Sequence, residues 1–183
     1  MLQYKLIHAL DDISVSQIKK KFKEEEIYFF TNYIIGIKYS FKLNNYSEVL
    51  KKLVGMNVKQ YTFTSYRFKK LIQLAFKKNL FLGSIEFIDL VDENINYDYI
   101  NKYISSINNT IDKIKKETIS DEFFKELNWV MVEDCIDIKS ISFKISIEEY
   151  PFESTIRIFN NGVIYLDSDK VFSELENLIA KIK

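Results

Sequence analysis

Proline occurs once and glycine four times in the 183 residues, far below the roughly 12% combined share usual in proteins. No linker or low-complexity tract is visible, and none of Gly36, Gly55, Gly83 or Gly162 belongs to a G-x-G-x-x-G turn, a P-loop or a G-x-S-x-G elbow. The commonest nucleotide-binding and hydrolase signatures are thereby excluded. Cys135 stands alone, which excludes an internal disulfide and fits a reducing compartment. The single histidine, His8, sits in an apolar strand-like stretch, where a structural role is the ordinary one. A Cys135/His8 dyad would have neither residue in a nucleophile context. No apolar run reaches the roughly 18 residues a membrane span needs, and the opening MLQYKLIHALDD places acids directly after a short apolar run, unlike a signal peptide. The expectation is a cytoplasmic protein.

What is abundant is Lys, Ile, Asn, Tyr and Phe, the bias of an AT-rich genome, bacterial or viral. Apolar residues make up 47% and charged residues 28%, enough for a sizeable core and inconsistent with disorder.

Periodicity indicates an α+β chain. QYKLIHAL reads as a strand. Ser14 with Gln17 has capping-box spacing for a helix over about 15–25. Ile35, Ile37, Tyr39, Phe41 and Leu43 alternate with polar or small residues, a half-buried strand. Asn45 caps a helix carrying Val49, Leu50, Leu53 and Val54, with Gly55 at its end; VKQYTF returns to strand. Residues 2–63 thus follow the βαββαβ order of ferredoxin-like folds, with antiparallel strands and helices packed on one face. Ser65 begins a helix with Phe68, Leu71, Ile72 and Ala75 inward, and NLFLGSIEFIDLV is a strand with a bulge at Gly83. Tyr97, Ile100, Ile104, Ile107, Ile111 and Ile114 form a narrow apolar seam on a helix over about 97–117, suited to a bundle contact or a homodimer interface. Ser120 caps a further helix. Ile141, Phe143, Ile145 and Ile147 mark a strand, Asn161-Gly162 turns a closing hairpin, and a last helix carries Val171, Leu175, Leu178, Ile179 and Ile182. The whole reads as one α+β unit over 1–183, with any subdivision falling near 80–95.

Residues 154–183 resemble the closing hairpin and helix of a TATA-box-binding-protein repeat, which would imply a sheet that grips DNA. The likeness covers thirty residues, no second copy is visible and the same region is acidic, so the nucleic-acid alternative rests on a basic helix instead.

Charge is distributed unevenly. Residues 1–85 hold fifteen basic and six acidic residues, a balance of +9; residues 86–183 hold eleven and twenty, a balance of −9. The positive peak is SYRFKKLIQLAFKK, residues 65–78, without an acid. Lys59, Arg67, Lys69, Lys70, Lys77 and Lys78 form a candidate basic patch, with Tyr61 or Tyr66 available to stack on a base. Glu133, Asp134, Asp137, Glu148 and Glu149 form a candidate acidic patch. Opposed patches of this kind steer charged partners.

Asp134 and Asp137 could share a helical face and hold a hard cation, but no spacing matches an EF-hand or a two-metal site, so no metal, cofactor or catalytic residue is expected. Trp129 is expected in the core with most of the Phe and Tyr. The leading functional expectation is a non-catalytic protein that binds and occludes a protein partner, of the immunity, antitoxin or anti-defence type. The alternatives are nucleic-acid binding through helix 65–78 and, more weakly, a carboxylate-dependent hydrolase. No membrane partner is expected.

Overall fold

Strand β1 (Leu2–Ala9) is buried on both faces: Tyr4 and Leu6 enter one core while Ile7 and Ala9 enter another. A strand of this kind must be covered on both sides, and it organises the fold. The computed structural model describes residues 1–40, 45–78, 80–88, 97–146 and 153–182. After β1 come α1 (Asp12–Lys21), β2 (Ile27–Phe29), β3 (Ile34–Lys38), α2 (Tyr46–Leu53), β4 (Val58–Gln60), α3 (Ser65–Lys77) and β5 (Phe81–Phe87). The second half holds α4 (Asp98–Asn109), α5 (Lys113–Val132), β6 (Ile138–Ser146), β7 (Glu153–Phe159), β8 (Val163–Leu166) and α6 (Phe172–Ile179).

Among the described residues the strands form one eight-stranded antiparallel sheet in the order β2, β3, β1, β8, β7, β6, β5, with β4 also pairing β1. The edge of β1 opposite β3 is shared. Leu2–Lys5 pair with β8 and Ile7–Ala9 pair with β4. The handover occurs at Leu6, whose N–H donates to the Gly162 carbonyl (2.8 Å) and whose carbonyl accepts from the Tyr61 N–H (3.1 Å). Gly162 adopts φ +78°, and a Cβ there would lie 1.8 Å from the Tyr61 carbonyl oxygen. The Asn161-Gly162 turn is therefore both the hairpin the sequence predicts and the docking point for the end of β4.

α1 and α2 share one face of the sheet, burying Ile18, Phe22, Val49 and Leu53 against Ile7, Ile35 and Ile37. The one-face expectation describes this N-terminal part. Across the whole sheet, α3 to α6 lie on the opposite face, where Phe68, Leu71, Ile72, Ile104, Phe123, Leu127 and Leu175 pack on Leu6, Ile141, Phe143 and Ile158. The inward stripe predicted for α3, Phe68, Leu71, Ile72 and Ala75, is wholly buried, and each large member stabilises the fold by about 1.5–3 kcal/mol. The register shift between Leu82 and Ser84 is the bulge expected at Gly83. The alternation predicted through Phe41, Leu43 and Ile147 reaches outside the described residues.

Three boundaries differ from expectation. α1 starts earlier, capped by Asp11, whose carboxylate accepts from the Ser14 N–H at 2.7 Å; Ser14 itself is buried inside the helix. The predicted helix 97–117 is broken at Thr110–Asp112, where the Asp112 side chain caps α5 by accepting from the Lys115 N–H (2.9 Å). Ser120 lies within α5, its hydroxyl donating to the Lys116 carbonyl. In both helices a serine capping signal thus loses to an aspartate that precedes it, one turn earlier in α1 and two turns earlier in α5. The seam residues Ile100, Ile104 and Ile107 are buried against this chain's own sheet and α5, while Ile111 and Ile114 are exposed. The stretch offered as a homodimer seam is therefore mostly occupied internally.

Among the described residues β5 ends the sheet, and α4 covers its outer edge. Asn101 accepts from the Ile85 N–H (3.0 Å) and donates back to the Ile85 carbonyl (3.3 Å), and Asn108 donates to the Leu82 carbonyl (2.7 Å). Two side-chain amides one heptad apart thus stand in for the missing strand. No helix of the described residues is long and apolar enough to cross a membrane.

Candidate interaction surface

The basic residues of 65–78 follow from the helical repeat: with Phe68, Leu71, Ile72 and Ala75 inward, the rest of α3 faces solvent. Thr64 caps the helix through the Arg67 N–H (3.3 Å), yet the first turn carries no acid, leaving the positive end of the helix dipole uncompensated by its own sequence. Tertiary structure supplies the acid. Asp137 reaches the start of α3 and accepts a 2.6 Å hydrogen bond from the Ser65 hydroxyl, which in turn accepts from the Ile138 N–H.

The two candidate patches therefore meet. Arg67 lies 4.6 Å over the Tyr61 ring and donates to the Thr62 carbonyl at 2.7 Å. Tyr61 is only 4% exposed, so it is not available to stack on a base, and burial pushes its hydroxyl pKa up, partly offset by Arg67. Lys70 lies 4.7 Å over the exposed Tyr66 ring. Lys69 donates to Asn128 of α5 at 2.7 Å, which holds the first turns of α3 beside the last turns of α5. Trp129, next to Asn128, is 59% exposed, with Tyr66 at 63% and Val132 at 64%. The expectation of a core tryptophan is thus overturned. With Phe123, Leu127 and Val130 inward at spacings of four and three, position 129 falls on the outer face, a signal already present in the periodicity.

Glu133, the C-cap that follows α5, is exposed. Asp134 accepts from the Tyr97 hydroxyl at 3.3 Å, and burial, followed by this carboxylate, raises the Tyr97 pKa. The helix stops at Val132, so Asp134 and Asp137 stand on the turn after it and point to different partners, not along one helical face. Among the described residues no cluster of three His, Cys, Asp or Glu could hold a metal. Glu148 and Glu149 lie outside the described residues. Cys135 makes the turn with φ +55°, and its thiol donates to the Val132 carbonyl.

The basic residues do not act as one patch. Lys77 and Lys78 stand at the far end of α3, about 15 Å from Arg67 by helical rise. Lys78 is ion-paired with Glu174 at 3.1 Å, and Lys77 lines a groove against α5. Lys59 is exposed on β4. Among the described residues Lys78 alone of the six candidate basic side chains forms an ion pair with an acid. Beside the Ser65–Asp137 bond opens a cleft of about 320 Å³ between Thr62–Ser65, Asp137 and the Asn160–Asn161 turn. Its lining combines hydroxyl, amide and carboxylate groups with Phe63 and Ile138.

No protein-family model, curated protein or solved structure matches the chain.

Proposed function

We propose that the chain is a non-catalytic binding protein that recognises and occludes a protein partner through the surface where α3 meets the end of α5, in the manner of immunity, antitoxin or anti-defence proteins. The observation that carries this reading is the exposure of Trp129 and Tyr66 on the two helices joined by the Lys69–Asn128 hydrogen bond. Trp, Tyr and Arg dominate the energetics of protein interfaces, most of all beside a pocket that can receive a partner side chain. The cleft beside Asp137 is such a pocket. The mixed sign of the surface favours protein over nucleic acid: Glu133, Asp134 and Asp137 beside Arg67, Lys69 and Lys70 would repel a phosphate backbone as fast as the lysines attract it.

Affinity capture from the native host tests the reading, comparing wild type with Trp129→Ala/Tyr66→Ala and with Lys20→Glu on the α1 side. Wild type and Lys20→Glu should recover one stoichiometric protein. The double variant should bind it about 30-fold or more weakly at an unchanged melting temperature. Equal recovery by all three, or no stoichiometric protein, would overturn the proposal. Salt-sensitive binding of a fluorescent oligonucleotide, lost on changing Lys69, Lys70 and Lys77 to Glu, would install the nucleic-acid alternative in its place.

A further inference from the structure

At the opposite end of α5 the chain turns from α4 through Thr110, Ile111 and Asp112. Ile111 is 100% exposed and Ile114 77% exposed, so two aliphatic side chains stand in water at the apex of a helical hairpin. Around them are Lys113, Lys115 and Lys116. The first turn of α5 holds no acid; of the two nearest acids, Asp112 is engaged as the cap and Glu117 follows Lys116. Residues 110–116 thus carry three lysines and one aspartate, a balance of +2. Lysines are unfavourable at a helix N-terminus, where the dipole and free N–H groups attract anions. Lys77 adds to them from α3: with Lys113 and Lys116 it rims a groove of about 590 Å³ that also exposes Phe76 and Phe124. Glu117 and Asp121, in the same groove, lie farther along α5 from the apex.

The geometry points to the α4–α5 turn as a docking element for a bilayer surface rich in anionic phospholipid. Ile111 and Ile114 would enter the boundary between headgroups and acyl chains, Lys113, Lys115, Lys116 and Lys77 would lie among the phosphates, and the start of α5 would gain the anions its own sequence withholds. A nucleic-acid backbone would use the lysines but leave both isoleucines in water. This element is separate from the Trp129 surface, some fifteen residues and about 22 Å away along the helix, so the two proposals stand or fall independently.

Co-sedimentation of the full chain with large unilamellar vesicles tests it. The protein should bind vesicles of phosphatidylcholine with 30% phosphatidylserine at low salt, bind pure phosphatidylcholine at least about tenfold more weakly, and release as salt rises. Ile111→Ser/Ile114→Ser should weaken binding at least about tenfold, and Lys113→Glu/Lys115→Glu/Lys116→Glu should bring it to background. Circular dichroism melting should be unchanged in the isoleucine variant, since neither side chain is buried. Absence of binding to anionic vesicles, or equal binding by the isoleucine variant, overturns the assignment. Loss of a wild-type dimer in light scattering by that variant also overturns it, and gives the apex to a second copy of the chain.

Discussion

Ser65 and Asp137, 72 positions apart in sequence, share a 2.6 Å hydrogen bond in which the hydroxyl donates to the carboxylate. This bond joins the two halves of a charge-polarised chain at the head of α3, as the Lys78–Glu174 ion pair does at its far end. It supplies an acid at the start of α3, whose first turn has none, and places the basic and acidic candidate residues on one continuous surface. Attraction between the halves is thus local, while Arg67, Lys69 and Lys70 engage aromatic rings, a carbonyl and an amide and keep their charge available.

Ser65→Ala removes the donor to Asp137 and the acceptor for the Ile138 N–H. It should cost about 1–2 kcal/mol, lowering the melting temperature by about 2–4 °C per kcal/mol. Asp137→Asn keeps an acceptor but loses the charge facing the helix dipole, and should cost less, by an amount that shrinks with added salt. Urea unfolding at two salt concentrations reads both.

Gly162→Ala should be the least tolerated added methyl among the four glycines. The added Cβ would fall 1.8 Å from the Tyr61 carbonyl oxygen, at a φ of +78°, so the β7–β8 turn could no longer meet the end of β4. A loss of at least about 3 kcal/mol is expected, read by denaturant unfolding. Gly55→Ala, at φ +81° with nothing within 4 Å of its Cβ, is the control for conformation alone and should cost about 1 kcal/mol.

Cys135→Gly should stabilise the chain. Cys135 holds φ +55° just after α5, where the Ile136 N–H returns to the Val130 carbonyl at 3.1 Å and closes the helix end. Glycine adopts that φ without a Cβ penalty, so a gain of about 0.5–1 kcal/mol is expected. An unchanged or lower denaturation midpoint would contradict the account.

Tyr28 should make the protein lose stability at high pH. Its hydroxyl donates to Glu176 at 2.9 Å, its ring stacks 4.1 Å from Phe172, and burial, then the bond to Glu176, pushes its pKa from 10.0 to about 12. The folded state keeps the proton that the unfolded state releases, so this contribution is complete below pH 10 and is lost as pH rises from about 10 to 12. Unfolding of wild type and Tyr28→Phe from pH 8 to 12 should show a gap that closes or reverses over that window.

The legible part of the protein was whatever depends on near neighbours in sequence. The buried stripe of α3, the alternation of β6, the Asn161-Gly162 turn and the bulge at Gly83 follow from side-chain period and backbone freedom, which act over a few residues. The exposure of Trp129 was legible too, since its phase against Leu127 and Val130 places it outward. The break at Thr110–Asp112 was harder. The isoleucine spacing continues through it, and only the capping strength of Asp112 and the end of the surface α4 must cover stop the helix, leaving Ile111 and Ile114 outside.

By itself the sequence determined the element types, the absence of a disulfide and the opposite electrical signs of the two halves. Only the tertiary structure decided that β1 shares one edge between β4 and β8, that Asp137 sits at the head of α3, and that two amides of α4 close the edge of β5. The physical reason is range. Helix and strand periodicity are settled by hydrogen bonds and burial over a few residues. Which charged or polar groups become neighbours depends instead on how the packed faces of distant elements fit together.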